Sequence, residues 1–163
     1  GELIAKHGIP LIADAPGVGS NLQDHYQTRT TVRMREKKSL NNEMRNPLML
    51  AKWVLQWMMY ASGPLTVGAG QVGGSACTKY AEDSRPDVQF LALPLSMDKP
   101  GEPLHKFPGF TTTTWQCRPA SRGTIQIQSN DPLEQPLIKP NYFAEKIDRD
   151  VAVEGIKILL GFV

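Results

Sequence analysis

Asp24 and His25 are the adjacent pair in this sequence whose residue types best suit acid–base chemistry. A carboxylate beside an imidazole can hold and pass a proton. Neighbouring side chains of an extended segment point to opposite faces, so a shared site is expected only if a turn brings the two together. The other histidines, His7 and His105, are scattered, and no H-x-E or H-x-x-x-H spacing occurs. The sequence therefore predicts no self-contained metal site.

The two cysteines, Cys77 and Cys117, are the other reactive side chains of interest. They lie forty positions apart, and neither has a Cys or His partner at the spacing of metal ligands. We interpret them as two buried thiols, since nothing in the pattern supports a disulfide.

Composition excludes several classes of protein without naming a function. The 163 residues carry a net charge of +2, which is too mild to indicate nucleic-acid binding. No apolar run approaches the ~18 residues that a transmembrane segment needs. No basic-then-apolar leader is visible, so a cytoplasmic location is favoured. No G-x-G-x-x-G follows a predicted strand, and no G-x-S-x-G, P-loop or H-E-x-x-H motif occurs.

The elements that must position any site are mostly strands. Alternating patterns and β-branched residues predict strands at residues 26–34, 87–93, 110–117 and 124–129, with a shorter one at 75–78. Asn46 and Pro47 begin a predicted helix that continues until Gly63 and Pro64. Few helices separate the strands, which indicates an α+β fold with a mostly antiparallel sheet and a few helices packed on one face.

An apolar stripe runs along this predicted helix at helical spacing. Its members are Leu50, Trp53, Val54, Trp57 and Met58. Such a stripe is more often core than ligand site, so we expect it to be packed.

Two irregular segments are harder to interpret. Residues 63–74 are rich in glycine, which indicates either backbone that passes close to a ligand or strand, or a flexible loop. Residues 94–108 form a proline-rich loop of a length typical of lids or disordered segments.

Both ends of the chain resemble incomplete helices. Residues 1–8 have the pattern of final helical turns that stop at Gly8, and Asp148 or Asp150 is expected to cap a helix that reaches Leu160. Apolar residues at such ends are unusual for a complete domain. We therefore expect the chain to be a piece of a longer protein.

Three segments resemble the glucose–methanol–choline (GMC) oxidoreductases, which are FAD-dependent alcohol dehydrogenases and oxidases. The first is the triplet GIP at residues 8–10 followed by PGVGSNLQDH at 16–25. The second is RPASRGTIQIQSNDP at 118–132, and the third is PLIKPNYF at 136–143 followed by Asp148 and Gly155. Their order and spacing agree with the family over essentially the whole chain.

The resemblance implies that residues 1–25 are the connection leaving an FAD-binding domain and that residues 26–163 are part of a substrate-binding domain. It implies FAD as cofactor, a small alcohol as substrate and the remainder of the same polypeptide as partner. The family's glycine-rich FAD motif is expected upstream of Gly1 and its catalytic His beyond Val163. No catalytic residue and no metal ligand is therefore assigned here, and the chain alone is expected to be inactive.

The resemblance also suggests candidate substrate contacts. Choline-oxidising relatives tend to carry Glu near the position of Gln71, so a neutral alcohol is expected to be preferred over choline. Alternatively, Gln71 only bonds to backbone in a glycine-rich turn. The loop at 94–108 resembles a substrate-access loop, with Met97, His105 and Phe107 (and Leu104) as candidates for its inner face. A solvated linker is the other interpretation.

Three further residues, Asn21, Asp24 and His25, are candidates for cofactor contact at the join between domains, or else structural polar residues. The leading hypothesis is thus a substrate-domain fragment of an FAD-dependent alcohol dehydrogenase or oxidase. The alternative is a non-catalytic binding or interaction module derived from such a domain.

Overall fold

The computed structural model describes residues 1–36, 38–68 and 70–162, and it has the α+β architecture predicted from the sequence. Its helices are α1 (Glu2–Lys6), α2 (Leu40–Met44), α3 (Pro47–Tyr60) and α4 (Lys146–Leu160). Its strands are β1 (Thr28–Arg33), β2 (Val72–Ala76), β3 (Val88–Leu93), β4 (Gly109–Gln116), β5 (Thr124–Gln126) and β6 (Leu137–Lys139). A 3₁₀ turn at Pro64–Thr66 follows α3.

The main sheet is antiparallel, with the order β1-β4-β3-β2. Strand β4 is an inner strand of the sheet, and its Thr112 pairs with Thr30 of β1 on one side and with Ala92 of β3 on the other. Its four consecutive threonines, residues 111–114, are all buried. Threonine suits this position because its branched side chain packs well on a pleated surface. Strands β5 and β6 form a separate two-stranded ribbon.

Helix α4 packs across one face of the sheet and builds the apolar core. Val151 and Leu159 of α4 meet Val88 and Phe90 of β3, and all four side chains are buried. Gly155 makes close approach possible, because a Cβ there would lie 3.2 Å from Val88 Cγ1. The prediction that an aspartate caps this helix is wrong: the N-cap is Glu145, and Asp148 lies inside the first turn.

Helix α3 begins where the sequence predicted. The Asn46 side chain accepts hydrogen bonds from the N–H groups of Leu48 (3.0 Å) and Met49 (3.4 Å), which satisfies two donors at the helix start. Pro47 occupies the first helical position, where no N–H is needed.

The prediction that the apolar stripe of α3 is packed is wrong for four of its five members. Trp53 is buried, whereas the exposed fractions of the other four side chains range from 37% to 72%. Helix α3 packs mainly on α2 and the 3₁₀ turn, and the other four side chains of the stripe are exposed. Helical spacing marks an apolar surface, but it does not say what covers that surface.

Several boundaries also differ from the sequence prediction. Strand β2 begins at Val72 and ends at Ala76, and β5 ends at Gln126, well before residue 129. Helix α2 and strand β6 were not predicted. Both cysteines are free, but Cys77 is exposed and Cys117 only half-buried, so the interpretation of two buried thiols is wrong. None of the helices in the described part of the chain combines the length and apolar character needed to cross a bilayer.

Candidate functional site

The loop at residues 16–25 is tied by its backbone to the segment that enters β5. Leu22 and Gly123 exchange two hydrogen bonds, with N···O distances of 2.9 and 2.8 Å. The Ile125 N–H donates to the Gly19 carbonyl oxygen at 2.8 Å. Both glycines are required here, since an added Cβ would lie 2.1 Å from Lys139 O at Gly123 and 2.3 Å from Ile125 O at Gly19.

Asp148 holds the segment that enters β5 from the side of α4. Its carboxylate is buried and accepts hydrogen bonds from the N–H groups of Ala120 (2.8 Å) and Ser121 (2.7 Å) and from the Ser121 hydroxyl (2.5 Å). Burial by itself would raise the pKa of this carboxyl. The hydrogen bonds, including one from the Gln116 side chain, outweigh burial and lower the pKa below its ordinary value.

Ser121 also caps α4 from a distance. Its hydroxyl oxygen accepts the Glu145 N–H at 3.1 Å, although Glu145 itself makes no side-chain cap. The loop therefore satisfies a donor at the helix start that the local sequence leaves free. Nearby, the Asn141 side-chain amide donates to the Arg122 carbonyl oxygen at 3.1 Å. The segments around residues 16–25, 118–125 and 141–148 thus meet at one place, called the junction below.

The predicted cofactor contacts Asp24 and His25 lie at the junction and bond to different partners. The Tyr142 hydroxyl donates to Asp24, and this bond is the main reason that the pKa of Tyr142 is raised. The His25 Nε2–H donates to the Cys117 carbonyl oxygen at 3.0 Å. The two side chains therefore do not form an acid–base pair. Asn21 is exposed and adopts a left-handed conformation with φ 59°, without a side-chain hydrogen bond to any described residue.

Gln71 lies beside an open groove of about 330 Å³ at the end of β2. Its N–H donates to the Ala92 carbonyl oxygen at 3.2 Å, which continues the pairing of β2 with β3. The groove is mainly apolar, with Met34, Leu40 and Phe110 among its walls. The described residues that line it carry no charged side chain.

The remaining predicted substrate contacts lie on the loop at 94–108. The rings of His105 and Phe107 stack with centroids 4.6 Å apart, and His105 Nε2 lies 3.1 Å from Asp98 Oδ1. The Arg33 guanidinium lies 5.6 Å from the centre of the Phe107 ring. Met97 is half-buried on the same loop. The structure thus brings His105 and Phe107 together, whereas Gln71 lies near the loop's first residue, Pro94.

Sequence reasoning missed Asn41, a fully buried residue of α2. Its side chain bonds to Ser96 on the loop through both amide atoms: Oδ1 accepts the Ser96 N–H at 2.9 Å, and Nδ2 donates to Ser96 Oγ at 2.8 Å. A five-residue helix shows no periodicity in sequence. The available signal was Ser39, whose side chain caps α2 by accepting the Asn42 N–H.

Comparisons with known proteins agree with this architecture. A family model described as "GMC oxidoreductase" matches residues 119–162, which include the Ser121–Asp148 part of the junction. An oxygen-dependent choline dehydrogenase of Brucella canis is 31% identical over 149 residues, covering 89% of this chain and 26% of that protein. The chain belongs to the GMC oxidoreductase family.

Other GMC relatives show the same pattern of partial coverage. An oxygen-dependent choline dehydrogenase of Paraburkholderia phymatum is 33% identical over 152 residues, which is 92% of this chain and 26% of that protein. The chain spans about a quarter of the length of these curated relatives. A formate oxidase structure from Aspergillus oryzae matches 98% of this chain and 32% of its own, with a TM-score of 0.82 and 22% identity. That likeness shows the fold.

Within this GMC chain, the described residues do not form a dinucleotide cradle. Such a cradle needs a glycine-rich turn that leads from a strand into a helix. Gly68, Gly70 and Gly73 have the right spacing, but Gly68 and Gly70 precede strand β2 and Gly73 lies within it. Of the three predicted cofactor contacts, Asp24 and His25 already have partners in the chain. Among the described residues, no group of three His, Cys, Asp or Glu side chains could hold a metal ion.

Proposed function

We propose that this chain is the substrate-domain portion of an FAD-dependent GMC enzyme that oxidises an alcohol to an aldehyde or ketone. In this proposal residues 1–25 connect to an FAD-binding domain, and residues 26–163 belong to the substrate-binding domain. The proposal is supported by the relatives, which are choline dehydrogenases, and by the formate oxidase of similar fold, in which FAD is modified.

The observation that carries the proposal is the convergence of the three family-like segments on one junction. The first segment ends at residue 25 and the second begins at residue 118, yet Gly19 and Leu22 bond to Ile125 and Gly123. Asp148, which follows the third segment, bonds to Ser121 of the second. Loops positioned by a rigid scaffold are frequent places for binding residues. The junction thus gives this segment a fixed structure against which the rest of an enzyme could be placed.

In this proposal the chain's own task is to bind and orient the alcohol and to exclude water. A flavin bound elsewhere in the whole enzyme would accept the hydride. The histidines that lie beside an aspartate do not present a free nitrogen to a substrate. His25 Nε2 bonds to a carbonyl oxygen, whereas His105 Nε2 faces Asp98 and its Nδ1 is buried. The resemblance to the GMC family supports the proposal that the catalytic His belongs to the remainder of the whole enzyme.

For the substrate, we propose a neutral alcohol rather than choline. Gln71 is uncharged, and the described walls of its groove hold no carboxylate. A carboxylate about 4 Å from a quaternary ammonium ion contributes about 1 kcal/mol in water and about 4 kcal/mol near a protein surface. Without it, the groove offers a cation little compensation for lost hydration.

The experiment compares choline with its isosteric neutral alcohol, in which carbon replaces nitrogen, using the intact protein that contains this segment. We expect the wild type to have the higher kcat/KM for the neutral alcohol. Gln71→Glu should shift the ratio toward choline by at least about tenfold, which corresponds to about 1.4 kcal/mol. The exposed Gln126→Glu on β5 is the matched control and should leave the ratio unchanged.

Two results would contradict different parts of the proposal. A wild type that prefers choline would refute the preference for neutral alcohols but not alcohol oxidation. An intact protein that binds no flavin and oxidises neither alcohol would refute the enzymatic proposal, and it would favour the non-catalytic interaction module.

A further inference from the structure

The buried Asn41 side chain holds together the two sides of the loop at residues 94–108. One side is Ser96 and the other is residues 105–107, and together they are called the neck. Besides its two bonds to Ser96 Oγ and N–H, Nδ2 lies within 3.4 Å of the carbonyl oxygens of His105 and Phe107. We propose that Asn41 is a positioning residue that holds the His105–Phe107 stack in place, so that this loop is a fixed wall limiting the size of the alcohol rather than a lid. The role of the wall rests on the proposed function, whereas the fastening itself does not.

The neck is closed by backbone as well. The His105 N–H donates to the Ser96 carbonyl oxygen at 3.0 Å. Residues 97–104 therefore form a loop whose two ends are hydrogen-bonded to each other. Asn41 Nδ2 lies 3.2 Å from that same carbonyl oxygen. One side chain therefore contacts both sides of the neck, and losing it would remove the bonds that fasten both sides to α2.

The chemistry of the site specifies an amide. It must accept one hydrogen bond from the Ser96 N–H and donate to a hydroxyl and to carbonyl oxygens. An amide offers both functions, a carboxylate only accepts, and a hydroxyl is a single donor. Because Asn41 and Ser96 are both 0% exposed, water does not compete for these bonds.

Other contacts to the neck lie nearer to the surface. The Arg45 side chain donates to the Lys106 carbonyl oxygen at 3.4 Å in an exposed position. The Met34 N–H donates to the Pro108 carbonyl oxygen at 2.9 Å, one residue beyond β1. The Arg45 contact ties the loop to the end of α2, and the Met34 contact ties it to the end of β1. Each reaches one side of the neck, whereas Asn41 reaches both.

The fastened loop adjoins the groove beside Gln71. Leu40, the residue before Asn41, lines this groove together with Pro94 and Met34. Helix α2 therefore forms the boundary between the groove and the loop. A change that releases the loop from α2 would widen the space on that side.

The test uses the intact protein with Asn41→Asp, which keeps the shape and the acceptor but removes the donors. Hydrogen exchange of peptides covering residues 96–108 should be at least tenfold faster than in the wild type. The relative kcat/KM of branched over straight-chain alcohols should rise. Asn130→Asp, the same substitution at an exposed turn, is the control and should change neither measurement.

A second variant covers the case in which Asn41→Asp does not fold. Ser96→Ala removes one acceptor of the amide and keeps the backbone bonds, so it should give a smaller acceleration in the same peptides. Unchanged exchange in a folded variant would overturn the fastening. Faster exchange with unchanged size selectivity would overturn the fixed wall. If the intact wild type oxidises no alcohol, the proposed function and the role of the loop as a wall are both refuted. Hydrogen exchange still tests whether Asn41 fastens the loop.

Discussion

Replacing Gly123 by alanine is expected to break the junction. The new Cβ would lie 2.1 Å from Lys139 O and 2.6 Å from Pro140 O, and both are backbone atoms that cannot rotate away. The chain would have to move by about 1 Å, since real Cβ contacts closer than 3.0 Å are essentially never seen. That shift would separate Gly123 from Leu22, with which it shares two hydrogen bonds.

The expected loss of stability follows from these contacts. Two hydrogen bonds contribute about 1 kcal/mol each. Overpacking against an inflexible neighbour costs about 1–3 kcal/mol. Together they give about 3–5 kcal/mol for Gly123→Ala.

The assay is urea unfolding of the intact protein followed by tryptophan fluorescence, with hydrogen exchange of peptides covering Leu22 and Gly123. Gly17→Ala is the matched control, because no atom lies within 4 Å of its added Cβ. This control should be neutral or slightly stabilising. If Gly123→Ala unfolds at the same urea concentration as Gly17→Ala, the reasoning about the junction is refuted.

Three further predictions concern Asp148, Tyr142 and the exposed apolar surface of α3. Folding lowers the pKa of Asp148, so its carboxylate stabilises the fold above its ordinary pKa, and this contribution is lost as the pH falls toward the folded-state pKa. Asp148→Asn should lower the free energy of unfolding by about 2 kcal/mol at neutral pH. The variant should also lose less stability than the wild type as the pH falls into the acid range; an equal loss in both proteins would contradict this. Tyr142→Phe should lower the free energy of unfolding by under about 1 kcal/mol, because the bond from Tyr142 to Asp24 is exposed. An ultraviolet titration of this variant should lack one tyrosine of raised pKa. Loss of a tyrosine with an ordinary pKa would count against this prediction. The 163-residue chain alone should self-associate in light scattering, and Trp57→Gln with Met58→Gln should reduce this association; a monodisperse wild-type monomer would be the opposite result.

The sequence predicted best where local pattern and tertiary environment agree. Strands β1, β3 and β4 lie within about one or two residues of the predicted ranges, because alternating β-branched residues suit a half-buried pleated surface. The start of α3 followed from Asn46 and Pro47, whose effects are local. Strand β6 gave no such signal, since its three residues, all exposed, depend on pairing with β5.

The parts that could not be predicted depend on contacts between distant segments. Ser121 caps α4 across 24 residues, so the true start of the helix was hidden from any local rule. Asn41 reaches a loop 55 residues away, and its importance comes from complete burial. For Gln71, Met97, His105 and Phe107, the structure gives positions, while their contact with substrate remains a prediction.

The central claim, that this chain serves an FAD-dependent alcohol-oxidising enzyme, is tested most directly by mixing the intact protein with alcohols in the absence of oxygen. We predict that the visible absorbance of bound flavin is bleached, more slowly when the carbinol carbon carries deuterium, because hydride transfer breaks that C–H bond. The claim would be contradicted if the flavin stays oxidised with every member of a panel of neutral and cationic alcohols. It would also be contradicted if the intact protein carries no flavin.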